Sequence, residues 1–559
     1  MTDLLHWSHQ VNRRQVLRGA GMGTAGLAGA ALLGCSSGPK PAAPGASTGG
    51  APAAAKPMTP KTGGRFSEVL DGSPVDFNPF TNTSNIASHV TNPCTNQLVQ
   101  MDPDDMWEKS SGIKPDLAKS WEITPDGLTY TFKLIQNAKF HDGTPFTAAD
   151  VIATLDRNKN PPKGVSSPRS TQLKPVKSVE APDPYTVVIK LTRPAAVMLP
   201  VLAQGWMVMQ SEKDIKGTFD YKNKINGTGP FRLREYRLGT QAILDRNKDY
   251  HIKDRPYLDG HDMNYIPDPA TQLAQTLAGN ILFNDRVFPT DQDAVKKSQG
   301  DKFTYPRTPV MSVTTLRIQT KKAPWSDIRV RQALSMVLDR QEALNVLSSG
   351  VGYIGGLMIP GGSYAYSQEE FEKLPNYQPY TTASLAEAKK LMAAAGVPAA
   401  RSMKMLSGSQ TDLARNTTYT ASQITKLGWT VTAEVVDDAT LRTRQNAGDF
   451  ELSSGNVAGA IDDPDTWWPD NYLKDSPSNF SKMESQEIED LFNKQSIEQD
   501  PQKRIAITKE LQKATMLQYG TIPIYWRNRI AVVSKIVKDY TLHVNNYNNN
   551  RYEHVWLDK

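Results

Sequence analysis

The chain has 559 residues, 38% hydrophobic and 22% charged, with a formal net charge of +6. The composition is that of a folded protein, and the length exceeds one core and predicts two or three domains. The charge lies in short runs such as Lys321-Lys322 and Lys389-Lys390, which read as solvated faces, so nothing points to a nucleic-acid partner.

The first residues read as an address. Asn12-Arg13-Arg14-Gln15-Val16-Leu17-Arg18 resembles a twin-arginine export motif, with Arg13 and Arg14 as the signal. A mildly apolar run of Gly, Ala and Leu follows to Gly34. At about 16 residues it falls short of the roughly 20 that span a bilayer, so it reads as a signal core. Leu32-Leu33-Gly34-Cys35 resembles a lipoprotein cleavage box, which implies cleavage before Cys35 and a thioether to diacylglycerol on it. Residues 35–61, rich in Ala, Pro and Gly, read as a tether that cannot bury enough apolar surface to fold.

The segment 1–34 carries three arginines and one aspartate, a net of +2, so its removal lowers +6 to +4. With Cys35 lipidated, Cys94 has no disulfide partner and reads as a small buried residue. No later stretch is long and apolar enough to span a membrane.

Arg65 to Leu70 reads as a first strand, followed by a weakly patterned helix through His89 to Val99. Trp121 and Ile123 share one strand face. Pro125-Asp126-Gly127 supplies turn chemistry, and Leu128, Tyr130, Phe132 and Leu134 return on one face of a second strand. The pair predicts a hairpin. After the turn His141-Asp142-Gly143-Thr144-Pro145, Thr147 with Asp150 predicts a capped helix carrying Val151 and Leu155. Tyr185, Val187, Ile189 and Leu191 alternate as another strand.

The literal residues add an identity. Leu117-Ala118 with Ser120-Trp121, Asp126-Gly127-Leu128-Thr129-Tyr130, and Phe140-His141-Asp142-Gly143 with Phe146-Thr147-Ala148-Ala149-Asp150-Val151 match in order. This segment resembles the signature region of extracellular solute-binding proteins of the peptide/nickel-type ABC importers. Further matches are Asp76-Phe77-Asn78-Pro79, Gly227-Thr228-Gly229-Pro230-Phe231, Asp249-Tyr250, Pro324 to Leu334 and Asp339-Arg340. The likeness runs from Gly63 to Trp556. Where the family carries Gly-acidic-Ile-Asp at the lobe junction, this chain reads Gly279-Asn280-Ile281-Leu282-Phe283.

The resemblance implies an α/β, two-lobed type II periplasmic-binding fold with an additional small α+β domain. A solute would be buried between the lobes, which close by a hinge motion. The expected division is lobe 1 from 62–101, 225–305 and 520–559, the small domain from 102–224, and lobe 2 from 306–519. The implied partners are a small-molecule or peptide ligand, the ABC permease and ATPase subunits, and a membrane face reached through the lipid. The protein is expected to act as a monomer.

Later segments follow the same patterns. Gln241 to Asn247 and Leu316 to Thr320 read as strands, and Gln272 to Gly279 as a helix. Ser326 or Asp327 caps a helix with Val330, Ala333, Leu334, Val337 and Leu338 on one stripe. Ser384 with Glu387 reads as a capping box, and Gly396 stops that helix. Asp500-Pro501 opens a helix to about Leu517. Pro523-Ile524-Tyr525-Trp526 begins a last strand, and Asn545 to Asn550 reads as surface loop.

No catalytic constellation is present. There is no Gly-x-Ser-x-Gly elbow and no HExxH pair. Asp462-Asp463-x-Asp465 lacks the Gly and terminal Glu of a calcium loop and reads as exposed loop acids. No enzyme activity, cofactor or metal is expected.

Ligand contacts are expected in the loop Ser453 to Trp468. In peptide-binding relatives an aspartate here holds the α-ammonium, a contact worth about 1.5–3 kcal/mol. Counting back from Asp463-Pro464-Asp465, Val457 falls where those relatives carry Trp and Ala460 where they carry the aspartate. Asp462 or Asp463 could substitute. Trp467 and Trp468 could stack on a solute, although each reads first as a core residue. The candidate ligand residues are therefore Asn456, Val457, Ala460, Asp462, Asp463, Trp467 and Trp468. The expected function is a receptor for a peptide or peptide-like solute. The alternatives are a receptor for an oligosaccharide or opine-like compound, and a surface lipoprotein outside transport.

Overall fold

The computed structural model describes residues 59–109, 112–545 and 550–559. The export motif at Arg13-Arg14, the lipidation site Cys35, most of the tether and part of the run Asn545 to Asn550 lie outside them. At the tether's end, Lys61 already pairs with Asp558 at 2.6 Å.

Two large sheets and one small sheet carry the fold. The first has seven strands in the order Phe303–Thr304, Val532–Ser534, Phe283–Asn284, Arg65–Leu70, Gly260–Tyr265, Gln241–Arg246 and Phe231–Arg237. Arg65–Leu70 is parallel to both neighbours, Gly260–Tyr265 and Phe283–Asn284. The second has six, in the order Gly352–Tyr353, Thr521–Ile530, Arg307–Ile318, Leu452–Ala458, Ser402–Gly408 and Thr430–Val436. The small sheet is antiparallel: Ala118–Ile123, Thr129–Leu134, Thr186–Leu191 and Val176–Asp183. Each sheet has its own hydrophobic cluster, around Phe66 and Met263, Trp467 and Trp526, and Phe132 and Val187 respectively. No described helix is long and apolar enough to cross a membrane.

The chain passes between the large sheets twice, and the passages lie together. Residues 305–306 link Phe303–Thr304 to Arg307–Ile318, and Ala531 links Thr521–Ile530 to Val532–Ser534. Ala531 N donates to Pro306 O at 3.1 Å. Thr304 pairs with Val533 on one side of this point and Arg307 with Ile530 on the other. Two adjacent strand crossings are the construction a hinge requires.

Thr521–Ile530 therefore belongs to the second sheet, against the expected assignment of 520–559 to the first lobe. Its local pattern marks a strand but cannot name its partner, and the partner is Arg307–Ile318, some 200 residues away. That partner is also longer than the Leu316 to Thr320 stretch suggests.

The hairpin is present as expected. Trp121 pairs with Phe132 and Ile123 with Tyr130. Asp126 Oδ1 closes the turn, accepting from Leu128 N at 3.0 Å and from Thr124 Oγ1 at 2.6 Å. The alternation buries Tyr130, Phe132 and Leu134. The helix Ala148–Lys159 starts at Thr147, whose N donates to Asp150 Oδ2 at 2.8 Å. Asp150 Oδ1 accepts from Glu212 N at 2.8 Å, so the acid also ties down the start of the helix Glu212–Lys216.

Gly227 and Gly229 are required by contact. A Cβ on Gly227 would stand 1.9 Å from Cys94 O, and one on Gly229 2.3 Å from Thr95 N. The motif packs backbone to backbone against buried Cys94, whose thiol is pushed up by burial. His141 N donates to Gly227 O at 2.8 Å, joining the small domain to this turn.

Two helix boundaries differ from expectation. The helix before Val99 is Asn85–Thr91 followed by a short 3₁₀ turn, Asn92–Cys94. Pro93 lacks the N–H needed to continue it. The helix assigned to a Ser384–Glu387 capping box begins earlier, at Thr382, with Thr381 as N-cap: Ser384 N donates to Thr381 Oγ1 at 3.0 Å. A Thr three residues upstream of Ser offers the same reciprocal geometry, and packing selects it. Asp327 and Asp500 cap their helices as expected.

Candidate functional site

A cavity of about 490 Å³ lies between the sheets, with walls from every part of the fold. The six-stranded sheet contributes Val310, Met311 and Ser312 on one strand, Ala458, Gly459 and Ala460 at the end of another, and Arg527. The first three reach the cavity because the ladder is irregular: Pro309 pairs with Asn528 but Val313 with Trp526, so extra residues bulge out between them. The first lobe adds Thr83, Asn85 and Arg286, and the small domain adds Pro168, Arg169, Gln172, Gln204 and Trp206.

The loop carrying Thr83 and Asn85 is organised by the Asp76-Phe77-Asn78-Pro79 motif. Asp76 Oδ1 accepts from Asn78 N at 2.9 Å and from Asn82 Nδ2 at 3.0 Å. This holds Asn82, whose carbonyl accepts from Arg169 Nη2 at 2.6 Å. The Arg169 guanidinium also lies over the Trp206 ring, 5.0 Å from its centroid. Burial without an anionic partner lowers its pKa to about 10.

Arg286 leaves a shared carboxylate. Arg529 takes Asp285 at 2.6 Å through Nε and 2.5 Å through Nη2, while Arg286 Nε is 3.4 Å from the same group. Asp285, just past the strand Phe283–Asn284, thus links the first sheet to Arg529 on the second. Arg527 pairs with Asp412 at 2.5 Å. Asp470 is the single acid among the described residues of the cavity wall, and burial raises its pKa.

Of the residues expected in the ligand loop, Ala460 lines the cavity and the others do other work. Its carbonyl accepts from Asn545 Nδ2. Asn456 is exposed and pairs with Thr314; its carbonyl accepts from Arg317 Nη2 at 2.6 Å. Val457 is buried in the core.

Asp462 and Asp463 correct the expectation of exposed acids, since both are fully buried. Asp463 caps the helix Pro464–Asn471, and Arg504 occupies its carboxylate, with Nη1 2.7 Å from Oδ2 and Nη2 2.7 Å from Oδ1. Asp462 Oδ2 accepts from Ser363 N at 2.6 Å, and burial raises its pKa to about 7. Neither acid lines the cavity, so neither replaces the ammonium-binding aspartate of peptide-binding relatives.

Trp467 and Trp468 are both 0% exposed. Trp467 Nε1 donates to Ile461 O at 2.9 Å and Trp468 Nε1 to Thr515 Oγ1 at 2.9 Å. Both pack in the core, and neither offers a stacking face. Among the described residues the aromatic on the cavity wall is Trp206, which carries no periodic or motif signal in the sequence. Arg169, Arg286 and Asp470 were equally silent there, because an isolated polar residue in a loop has no spacing to read.

Comparison with known proteins agrees with this architecture. The family profile described as Bacterial extracellular solute-binding proteins, family 5 Middle, matches residues 112–479. The Probable D,D-dipeptide-binding periplasmic protein DdpA of Escherichia coli K12 is 28% identical over 478 residues, 84% of this chain and 89% of that one. The Heme-binding protein A of Haemophilus influenzae Rd is 28% identical over 468 residues, 77% and 82% of the two chains. Among solved structures, the PBP AgaA of A. tumefaciens R10 in complex with agropinic acid superposes with a TM-score of 0.73 at 26% identity, covering 89% of this chain and 99% of that one. The fold is the type II periplasmic-binding fold.

Proposed function

The chain belongs to the bacterial extracellular solute-binding proteins of family 5, and on that premise we propose that it captures a peptide or peptide-like solute between its lobes and delivers it to an ABC permease powered by its ATPase subunits. The observation that carries this reading is the 490 Å³ cavity walled by the six-stranded sheet, by loop and helix residues beside the seven-stranded sheet, and by the small domain. Its size lies within the roughly 300–1,000 Å³ typical of small-solute sites. Rotation about the paired crossings at Pro306 and Ala531 would seal a solute inside it.

A second reading rests on Ala460. Without an aspartate there, the cavity lacks the ammonium anchor of peptide-binding relatives, which favours an opine-like acid. The superposition on AgaA with agropinic acid supports this alternative. An oligosaccharide loses support because Trp467 and Trp468 are buried.

The reading extends to the chain's layout. Lobe 1 would comprise 62–101, 225–305 and 531–559, the small domain 102–224, and lobe 2 306–530. Export through Arg13 and Arg14 and lipidation of Cys35 would hold a monomeric receptor at the outer membrane face. A Cys35→Ala variant should then be released from membranes. Isothermal titration with di- to hexapeptides and opines tests the receptor role; binding of none of them would contradict it.

A further inference from the structure

Arg169 is a buried cation with no carboxylate partner among the described residues. It is 4% exposed and lies on the cavity wall. Among the described residues no carboxylate reaches its guanidinium, and Nη1 has no hydrogen-bond partner. Most other buried arginines are provided for; Arg317 also lacks a carboxylate, donating to Asn456 O and lying over the Phe480 ring, but it does not line the cavity. Arg504 holds Asp463 and Asp465, and Arg551 holds Asp116. Arg340 has no carboxylate, but it donates to Pro523 O, Ser335 O and Ser335 Oγ. A guanidinium removed from water without a counter-charge is costly, and proteins retain such groups where something else supplies the charge.

The same wall is biased in sign. Arg169, Arg286 and Arg527 face one acid, Asp470. Arg286 is under-satisfied as well: Nε and Nη2 make no hydrogen bonds among the described residues, and its nearest carboxylates stand at 3.4 and 3.8 Å. A planar guanidinium is the side chain suited to receive a carboxylate through two donors.

We propose that Arg169, with Arg286, receives a carboxylate of the bound solute, so that the cleft selects small solutes of net negative charge. This rests on the reading of the cavity as the solute site.

The test compares matched probes on the purified protein after partial unfolding and dialysis to strip bound solute. Glu-Glu, Gln-Gln and the carboxy-amidated form of Glu-Glu are titrated calorimetrically against the wild type and Arg169→Gln. The expected result is that Glu-Glu binds, that Gln-Gln and the amide bind about 10–100-fold more weakly, and that Arg169→Gln loses the same factor. Equal binding of all three peptides, or undiminished Glu-Glu binding by Arg169→Gln, overturns the proposal and leaves the receptor reading standing. Binding of none of the three overturns the proposal, while the receptor reading falls only if the wider set of peptides and opines also fails to bind. Arg169→Met separates recognition from folding: its unliganded Tm should equal or exceed that of the wild type. A loss of several degrees would show that the arginine is structural.

Discussion

Both guanidinium Nη atoms of Arg504 stand 2.7 Å from the carboxylate of Asp463, and both side chains are shut off from water. Arg504 also reaches Asp465 through Nη2 at 2.6 Å. The pair joins the helix Pro501–Met516 to the start of the helix Pro464–Asn471, so it fixes the loop that ends at the cavity. Removing either partner strands a buried charge, which costs about 3–5 kcal/mol. Arg504→Met should therefore lower the denaturation midpoint strongly, whereas Arg504→Met combined with Asp463→Asn should recover part of the loss.

Asp462 predicts a pH dependence of opposite sign to the usual carboxylate. Its folded pKa of about 7 lies above its ordinary value of 3.8. Between those values the folded state holds a proton that the unfolded chain has released, so stability falls as pH rises from about 4 to 7. Below 4 both states are protonated and the term is constant. Asp462→Asn should keep the bond from Ser363 N and flatten this part of the profile, gaining on the order of 4 kcal/mol at pH 7.5 relative to pH 4. Denaturation curves across that range would show it, and an unchanged slope would contradict the assignment.

Gly229 has no room for a side chain beside Thr95. Gly229→Ala should cost about 1–3 kcal/mol or more through forced separation of the two backbones. Because the same turn receives Cys94 and neighbours His141, the loss should appear as weakened docking of the small domain. Faster proteolysis within residues 112–224 would report it.

Ala460 offers a gain-of-function prediction. Ala460→Asp places an acid on the cavity wall at the position where peptide-binding relatives hold the α-ammonium. The variant should prefer a free amino terminus over its acetylated form by about tenfold or more, where the wild type shows no such preference. Competition titration with an Ala-Ala and acetyl-Ala-Ala pair measures the difference.

These residues also show what the sequence made legible. The hairpin register, the Thr147–Asp150 cap and the Asp500-Pro501 helix start could be read because each is decided within a few residues by alternation or capping chemistry. The partner of Thr521–Ile530 could not, since its neighbour comes from a strand some 200 positions earlier. Asp463 illustrates the same limit at the site. Its spacing suggested exposed acids, and only the fold brings Arg504 to it. The chain's departure at Ala460 was visible, and the structure places that residue on the cavity wall. Arg169 was invisible until the fold buried it with no carboxylate beside it among the described residues.

Solute is expected to bind in the cavity between Arg169 and Ala460. A crystal structure of the protein with its bound solute tests this most directly. Such a structure should show solute density in that cavity, a carboxylate within hydrogen-bond distance of Arg169, and the two sheets drawn together about Pro306 and Ala531. Solute density elsewhere, or a solute in the cavity that leaves Arg169 without an anionic partner, would contradict it.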